Sequence, residues 1–217
     1  MPTAWVFISI AIIIISFMSG YIFFYVTSPL TNQIKKQQLG EITSLLVDFV
    51  IFIWIGKITI NIEVLISDPL AILAYPSNSQ AFYIAVLLLI LNIGYKVKRY
   101  RLKIKPLLFT FVPVSLVASF VYEFIHIVWG GNTYTWSYLG LLMVLLLLYL
   151  ILHDRTSSKN VTFLLLTIWS LGQLILAMTM PFINVFGYMM SPWFMGLILI
   201  VCIILFIKTI ERGNHDD

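Results

Sequence analysis

Lys96-Val-Lys-Arg-Tyr-Arg-Leu-Lys-Ile-Lys105 places six cations in ten residues between two apolar runs, 81–95 and 107–129. So dense a charge cannot lie within a bilayer, so the stretch is a connection between two membrane segments. Working outward, Lys35 and Lys36, then Arg155 and Lys159, then Lys208 and Arg212 mark alternate ends of the other apolar runs. With the central stretch they account for twelve of the thirteen Lys and Arg residues, and the connections 67–80, 130–136 and 181–191 hold none. Cationic side chains in short loops stay cytoplasmic, so the lysine-bearing connections are expected inside and the bare ones outside. The thirteenth cation, Lys57, lies within an apolar segment.

Composition agrees. The chain is 61% hydrophobic and 10% charged, with a mean hydropathy of +1.02. These values exclude a soluble globular domain. The net charge of +4 reflects the cytoplasmic bias of the cations, so no nucleic-acid partner is expected. The basic stretch is at most a weak docking patch for anionic lipid heads.

A span needs ~20 apolar residues. Seven are expected, at roughly 4–26, 44–66, 81–95, 107–129, 136–152, 161–180 and 192–208. The fold class is therefore all-α: a polytopic bundle of seven transmembrane helices, N-terminus outside and C-terminus cytoplasmic. Residues 1–210 form one membrane domain and 211–217 a short polar tail. The first run has no preceding Lys or Arg and is too long for a signal-peptide core, so it is expected to remain as an anchor. Residues 69–75 and 181–191 are too apolar for free loops and are expected to lie flat in the interface.

Ionisable groups inside a bilayer are costly and need a reason. The candidates are Asp48, Lys57, Glu123 and His126, with Glu63 near the outer end of the second span. Counting ~1.5 Å per residue from the cytoplasmic ends puts Lys57 and Glu123 at similar depth, so an ion pair between spans two and four is expected. Asp48 and Lys57, nine apart, should face opposite ways. Glu123 and His126 share a helix face, as an acid/base dyad or as a polar patch near the surface. Asn61, Asn92 and Gln173 suit interhelical hydrogen bonds. Trp5, Tyr75, Trp129, Tyr134, Trp136, Tyr138 and Trp193 suit an aromatic belt at the outer boundary. The lone Cys202 has no partner for a disulfide, and no metal-ligand spacing is present. Asn160-Val-Thr162 matches a glycosylation acceptor but falls in a cytoplasmic loop. No zinc-protease, nucleophile-elbow or phosphate-loop pattern occurs.

The order of features from 42 to 207 resembles prolipoprotein diacylglyceryl transferase, which moves diacylglycerol from phosphatidylglycerol onto a lipobox cysteine. Leu46-Val-Asp-Phe49 with Gly56-Lys-Ile58 is similar to the family's second-span pattern, which ends in Ala-Arg. Asp68-Pro-Leu-Ala-Ile72 is similar to His-Pro-x-Glu-Ile. The cations at 96–105 stand where the family has a basic loop. Pro113 to His126 parallels Pro-x-x-Leu-x-Gly-Gln-x-x-Gly-Arg-x-Gly-Asn without a gap. Thr135-Trp-Ser-Tyr138 resembles Pro-Thr-x-x-Tyr-Glu, and Trp169-Ser-Leu-Gly-Gln173 resembles the later Gly-Arg.

The departures fall on the working positions. The family's His-Gly-Gly has no counterpart, Tyr83 standing nearest its histidine. Glu123 replaces one arginine and Gln173 another, and only the second-span arginine keeps its sign, as Lys57. Transfer from phosphatidylglycerol needs cations around the phosphate and a base for the thiol. The resemblance therefore implies a retained scaffold in the bacterial cytoplasmic membrane with the transferase site dismantled. It implies a membrane lipid, phosphatidylglycerol by the family's precedent, or a lipoprotein or other membrane protein as partner, and no cofactor. Lys57, Tyr83 and Gln173 become lipid-binding candidates, and Glu123, His126 and Lys57 the catalytic candidates if an altered chemistry survives. A small transporter or accessory subunit, with Lys57 and Glu123 as a gating pair, is the other alternative. The topology is directly testable: with Cys202 replaced by Ser, cysteines introduced at Lys98 and at Asn78 should react with an impermeant maleimide from opposite sides of the membrane. Labelling of both from one side would overturn the charge-based assignment.

Overall fold

The computed structural model describes residues 2–68, 78–130, 135–153, 155, 158–180 and 183–213. Its elements are α1 (Pro2–Thr27), α2 (Asn32–Ile60), α3 (Ile62–Ser67), α4 (Ser79–Tyr100), α5 (Ile104–Gly130), α6 (Thr135–His153), α7 (Ser158–Thr179), β1 (Ile183–Val185), β2 (Tyr188–Met190) and α8 (Pro192–Gly213). Six helices, α1, α2 and α4 to α7, are long and apolar enough to cross a membrane. The expected seventh span corresponds to the shorter apolar stretch Pro192–Ile207 of α8.

The burial pattern is that of a protein dissolved in lipid. Ile14, Ile22, Leu87, Ile90 and Ile200 are exposed, whereas Ser16, Gln38, Thr110, Ser170 and Gln173 are buried. Polar groups turn inward because hydrocarbon offers them no hydrogen bonds. Helix α5 is the central element: half of its membrane window is buried, against 11–33% for the other five.

Helix α1 lies along α5. It presents Ser16 and Gly20, one turn apart, and Ser16 returns its hydroxyl to the Ile12 carbonyl at 2.7 Å. A Cβ at residue 20 would run into the Val114 carbonyl, so hydrogen is the side chain that permits this approach. Close backbone contact through small residues is how helices gain packing energy where lipid removes the hydrophobic drive. At the basic end, Thr110 of α5 donates to the buried Gln38 side chain of α2 at 2.6 Å.

Two expectations are corrected here. The span 44–66 is not one helix. Helix α2 begins at Asn32 and stops at Ile60, and Asn61 (φ −113°, ψ 41°) breaks the ladder before the short α3. Asn61 caps its own helix, with backbone N–H and side-chain Nδ2 both donating to the Lys57 carbonyl, at 3.2 and 2.9 Å. It is thus not an interhelical bond. The interfacial stretch expected at 69–75 lies outside the described residues, as do 214–217 of the tail.

The second correction concerns 181–191. Among its described residues this stretch forms a two-stranded antiparallel hairpin, Ile183 opposite Met190 and Val185 opposite Tyr188, the one sheet among the described residues. Phe186 and Gly187 both have positive φ, 51° and 84°, which a two-residue turn with the right twist requires. Glycine takes that conformation freely, and a Cβ at 187 would also sit 2.9 Å from the Tyr122 hydroxyl. Phe186 is held there by ring contacts with Phe17 (5.4 Å) and Tyr122 (5.3 Å). Val185 and Met190 then pack against Phe194, Met195, Phe82 and Trp169. Of the apolar residues that suggested an interfacial segment, Val185, Phe186 and Tyr188 pack against the bundle through this hairpin.

Replacing Gly20 by Ala should lower unfolding stability in detergent by about 1–3 kcal/mol, the usual cost of forcing extra volume into a packed contact. Gly94→Ala is the control, since nothing lies within 4 Å of a Cβ there. Thermal unfolding of both variants, followed by circular dichroism, reads the difference.

Candidate functional site

Two polar centres interrupt the apolar interior. The first joins α2 to α4 towards the basic connection. Lys96 Nζ donates to Asp48 Oδ2 at 2.6 Å and to Ser44 Oγ at 3.2 Å, and Asn92 Nδ2 donates to the same Asp48 oxygen at 2.8 Å. Asn92 is therefore an interhelical hydrogen-bonder, as its sequence position suggested. The Lys96 and Asp48 side chains remain about a quarter exposed, at 24% and 27%. A shallow cleft of about 170 Å³ lined by Glu41, Ser44, Lys96 and Tyr100 lies beside them. With every charge in this centre answered, it is a structural clamp between two helices.

The second centre lies within the bundle around Glu123, which is 2% exposed. Its α5 neighbour Tyr122 and the α6 residue Tyr138 are both within electrostatic reach of its carboxylate. Tyr138 is buried, accepts a hydrogen bond from Trp169 Nε1 of α7 at 3.3 Å, and has Ser119 and Gln173 beside its hydroxyl. Three helices thus contribute. The spacing explains how: Ser119 and Glu123 are one turn apart on α5, and Trp169 and Gln173 are one turn apart on α7.

Gln173 is 1% exposed and faces the Tyr138 hydroxyl, and neither amide atom reaches a well-formed hydrogen bond to a described residue. His126 Nε2 and Asn184 Oδ1 are likewise buried without a partner among the described residues. The His126 ring lies 4.4 Å from that of Tyr122, and the Tyr122 ring meets Phe186 at the hairpin turn. The hairpin therefore packs over this centre from the lysine-free end of the bundle. Buried polar atoms nearly always find a partner, so several orphans in one neighbourhood single the region out.

The sequence candidates separate into different places. Glu123 and Gln173 converge on Tyr138, and His126 stands one turn from Tyr122 in the same region. No hydrogen bond joins Glu123 to His126 among the described residues, so the two share a face without forming a bonded dyad.

Lys57 does not join them. It is buried on α2 with its ammonium 4.9 Å from the centre of the Trp54 ring, and among the described residues no ion pair joins it to Glu123. The expected Lys57–Glu123 pair is thereby corrected. Helices α2 and α5 meet at Gln38 and Thr110. From that contact Lys57 lies ~28 Å along its helix and Glu123 only ~20 Å along its own, so their depths differ. Tyr83, the other lipid-binding candidate, accepts the Ser191 N–H at 2.8 Å and packs on Phe194 at 4.6 Å. It anchors the hairpin to α4.

Tyr138, Ser119 and Trp169 belong to the centre although sequence patterning did not select them as site residues. Tyr138 looked like a belt aromatic, and Trp129, Trp136 and Trp193 are indeed exposed at 78%, 58% and 60%. Tyr138, two residues after Trp136, points the other way and is 5% exposed. Its signal was its helical phase relative to Trp136. No group of three or more His, Cys, Asp or Glu that could hold a metal occurs among the described residues. Comparison with protein-family models, curated proteins and solved structures returned no match.

A double-mutant cycle tests the first centre. Asp48→Asn and Lys96→Met should each destabilise the protein. The double variant should recover about 1 kcal/mol relative to their sum, the upper end for a partly exposed pair. Strict additivity in chemical unfolding would remove the clamp.

Proposed function

We propose that this chain is a seven-span protein of the bacterial cytoplasmic membrane, N-terminus outside and C-terminus inside. It holds a membrane lipid or a lipidated membrane partner within its bundle and does not carry out diacylglyceryl transfer. The observation that supports this most is the Glu123 centre: a buried carboxylate and an orphaned carboxamide, with no Lys or Arg paired to the carboxylate among the described residues.

Transfer from phosphatidylglycerol places a phosphate in the site and develops negative charge there. Such a site is built from cations and charge-assisted donors. A carboxylate there repels the phosphate, and low dielectric amplifies the repulsion. Gln173 replaces a second expected cation with a neutral amide, and Lys57 lies at another depth. A rewired enzyme using Glu123 and His126 lacks a direct bond between its two groups. The gating-pair alternative lacks its pair. Binding without transfer needs neither, only a polar recess in an apolar bundle that opens to lipid-dissolved molecules.

Complementation of a conditional transferase-depletion strain tests the loss of activity. The chain, shown to be inserted and abundant, should leave a reporter lipoprotein unmodified. Mass spectrometry of the purified protein should find lipid retained at near-stoichiometric level. Restored diacylglyceryl modification would overturn the non-catalytic assignment, and a preparation free of lipid and lipoprotein would overturn the scaffold assignment.

A further inference from the structure

The cations at the lysine-rich end of the bundle fall into two groups. Lys35 donates to the Tyr25 carbonyl at 2.7 Å and Lys96 to Asp48, so both are used in holding helices together. Lys98, Arg99, Arg101, Lys103 and Lys105 are all exposed and make no ion pair or hydrogen bond among the described residues. A pair of cations marks each of the other three basic ends, so five uncommitted charges on one turn exceed what orientation needs.

The turn is also built at a conformational cost. Helix α4 is capped by Arg101 in the left-handed region (φ 54°, ψ 36°), its N–H donating to the Lys96 carbonyl. Glycine or asparagine ordinarily takes that position, because a Cβ crowds the backbone there. Only residues 101–103 separate α4 from α5, and strain kept in so short a connection is typical of ligand clamps.

Space and apolar surface adjoin these charges. The cleft between α2 and α4, about 170 Å³, is lined by Leu45 and Leu102 as well as by Ser44, Lys96 and Tyr100. Its one carboxylate, Glu41, already accepts from Gln37 at 3.1 Å. Tyr95 and Tyr100, 59% and 70% exposed, meet edge to face at 6.2 Å. Leu87, Leu91, Gly94 and Lys98 form one exposed stripe of α4, and nothing lies within 4 Å of a Cβ at Gly94. Cations, then tyrosines, then an open apolar track repeat the order of phosphate, glycerol and acyl chain along a phospholipid.

We infer that the 98–105 turn and the adjoining α2–α4 cleft bind the head group of an anionic phospholipid in the leaflet they border, its acyl chains lying along α4. A soluble polyanion meets the cations but leaves the tyrosines and the apolar track unused. A zwitterionic head brings its own cation against five others. Attraction grows with the charge of the head, so a two-phosphate lipid is preferred to a one-phosphate lipid. This site is separate from the Glu123 centre and does not depend on the function proposed above.

Native mass spectrometry of the full-length protein in an uncharged detergent would measure binding of cardiolipin, phosphatidylglycerol and phosphatidylcholine. Affinity should follow head-group charge, with cardiolipin about tenfold tighter than phosphatidylcholine. Lys98→Gln with Arg99→Gln should remove most of that preference. Lys36→Gln with Arg155→Gln, which deletes the same charge from other basic ends, should leave it within about twofold. Arg101→Gly should weaken anionic-lipid binding without lowering the thermal unfolding temperature, since glycine relaxes the left-handed residue.

Equal binding of phosphatidylcholine, equal losses in the two double variants, or an Arg101→Gly protein that unfolds earlier with binding intact would overturn the inference. So would a short oligonucleotide that competes as well as cardiolipin, because the apolar track would then contribute nothing. The two lipid proposals separate in the Lys98→Gln, Arg99→Gln protein. Preference lost with lipid still retained supports both, and a wild-type preference with no retained lipid supports this site alone.

Discussion

In hydrocarbon no solvent pushes apolar helices together, so their arrangement rests on the few places where backbones approach closely or polar groups must be answered. In this protein the approach of α1 to α5 is the foremost of these. Ser16 and Gly20 clear a path for the Val114 backbone, and α5 becomes the most enclosed helix of the bundle. Everything carried on its inner face, from Thr110 at the basic end to Tyr122 and Glu123 beyond, is buried as a consequence. Thr110 then ties α2 in through Gln38, and Asp48 ties α2 to α4 through Lys96 and Asn92. The connections are polar because only polar groups discriminate among partners when every helix is greasy.

The same enclosure creates the Glu123 centre. A carboxylate on an outlying helix could turn towards a head-group region; on α5 it is surrounded by α6 and α7 and overlaid by the hairpin. Two independent features hold that hairpin down. Tyr83 receives the Ser191 N–H, and Phe186 wedges between Phe17 and Tyr122. Its positive-φ turn costs conformational energy at Phe186, and the ring contacts offset it. The polar centre is thus closed by an element whose own geometry depends on the residues beside that centre.

Much of this was legible beforehand, and the failures have definite causes. Alternating basic and bare connections marked the segment ends, and Asn92 was recognisable as a bond between helices because an amide in lipid must find one. The Lys57–Glu123 pair failed because depth was counted from expected span ends, whereas α2 starts at Asn32 and meets α5 at Gln38. Tyr138 was assigned to the boundary because its chain neighbours are boundary residues, while its helical phase takes it inward. The 183–190 hairpin was hidden because Ile183, Val185, Tyr188 and Met190 are as suited to an interface as to a strand. Only the Phe-Gly turn at 186–187 distinguished the two.

The amino-acid sequence by itself determined that the chain is helical, that its exterior is lipid-compatible and which connections carry charge, because hydropathy and charge are properties of segments. It also supplied the ionisable residues that a bilayer makes conspicuous. Only the tertiary structure decided which of them meet. Meeting depends on relative depth, helical phase and which helices pack together, and these were set by a glycine on α1, a break at Asn61 and a turn at Phe186–Gly187. Each is a local steric condition with a long-range result, so the partners of Lys57 and Glu123 lay beyond the reach of any count along the chain.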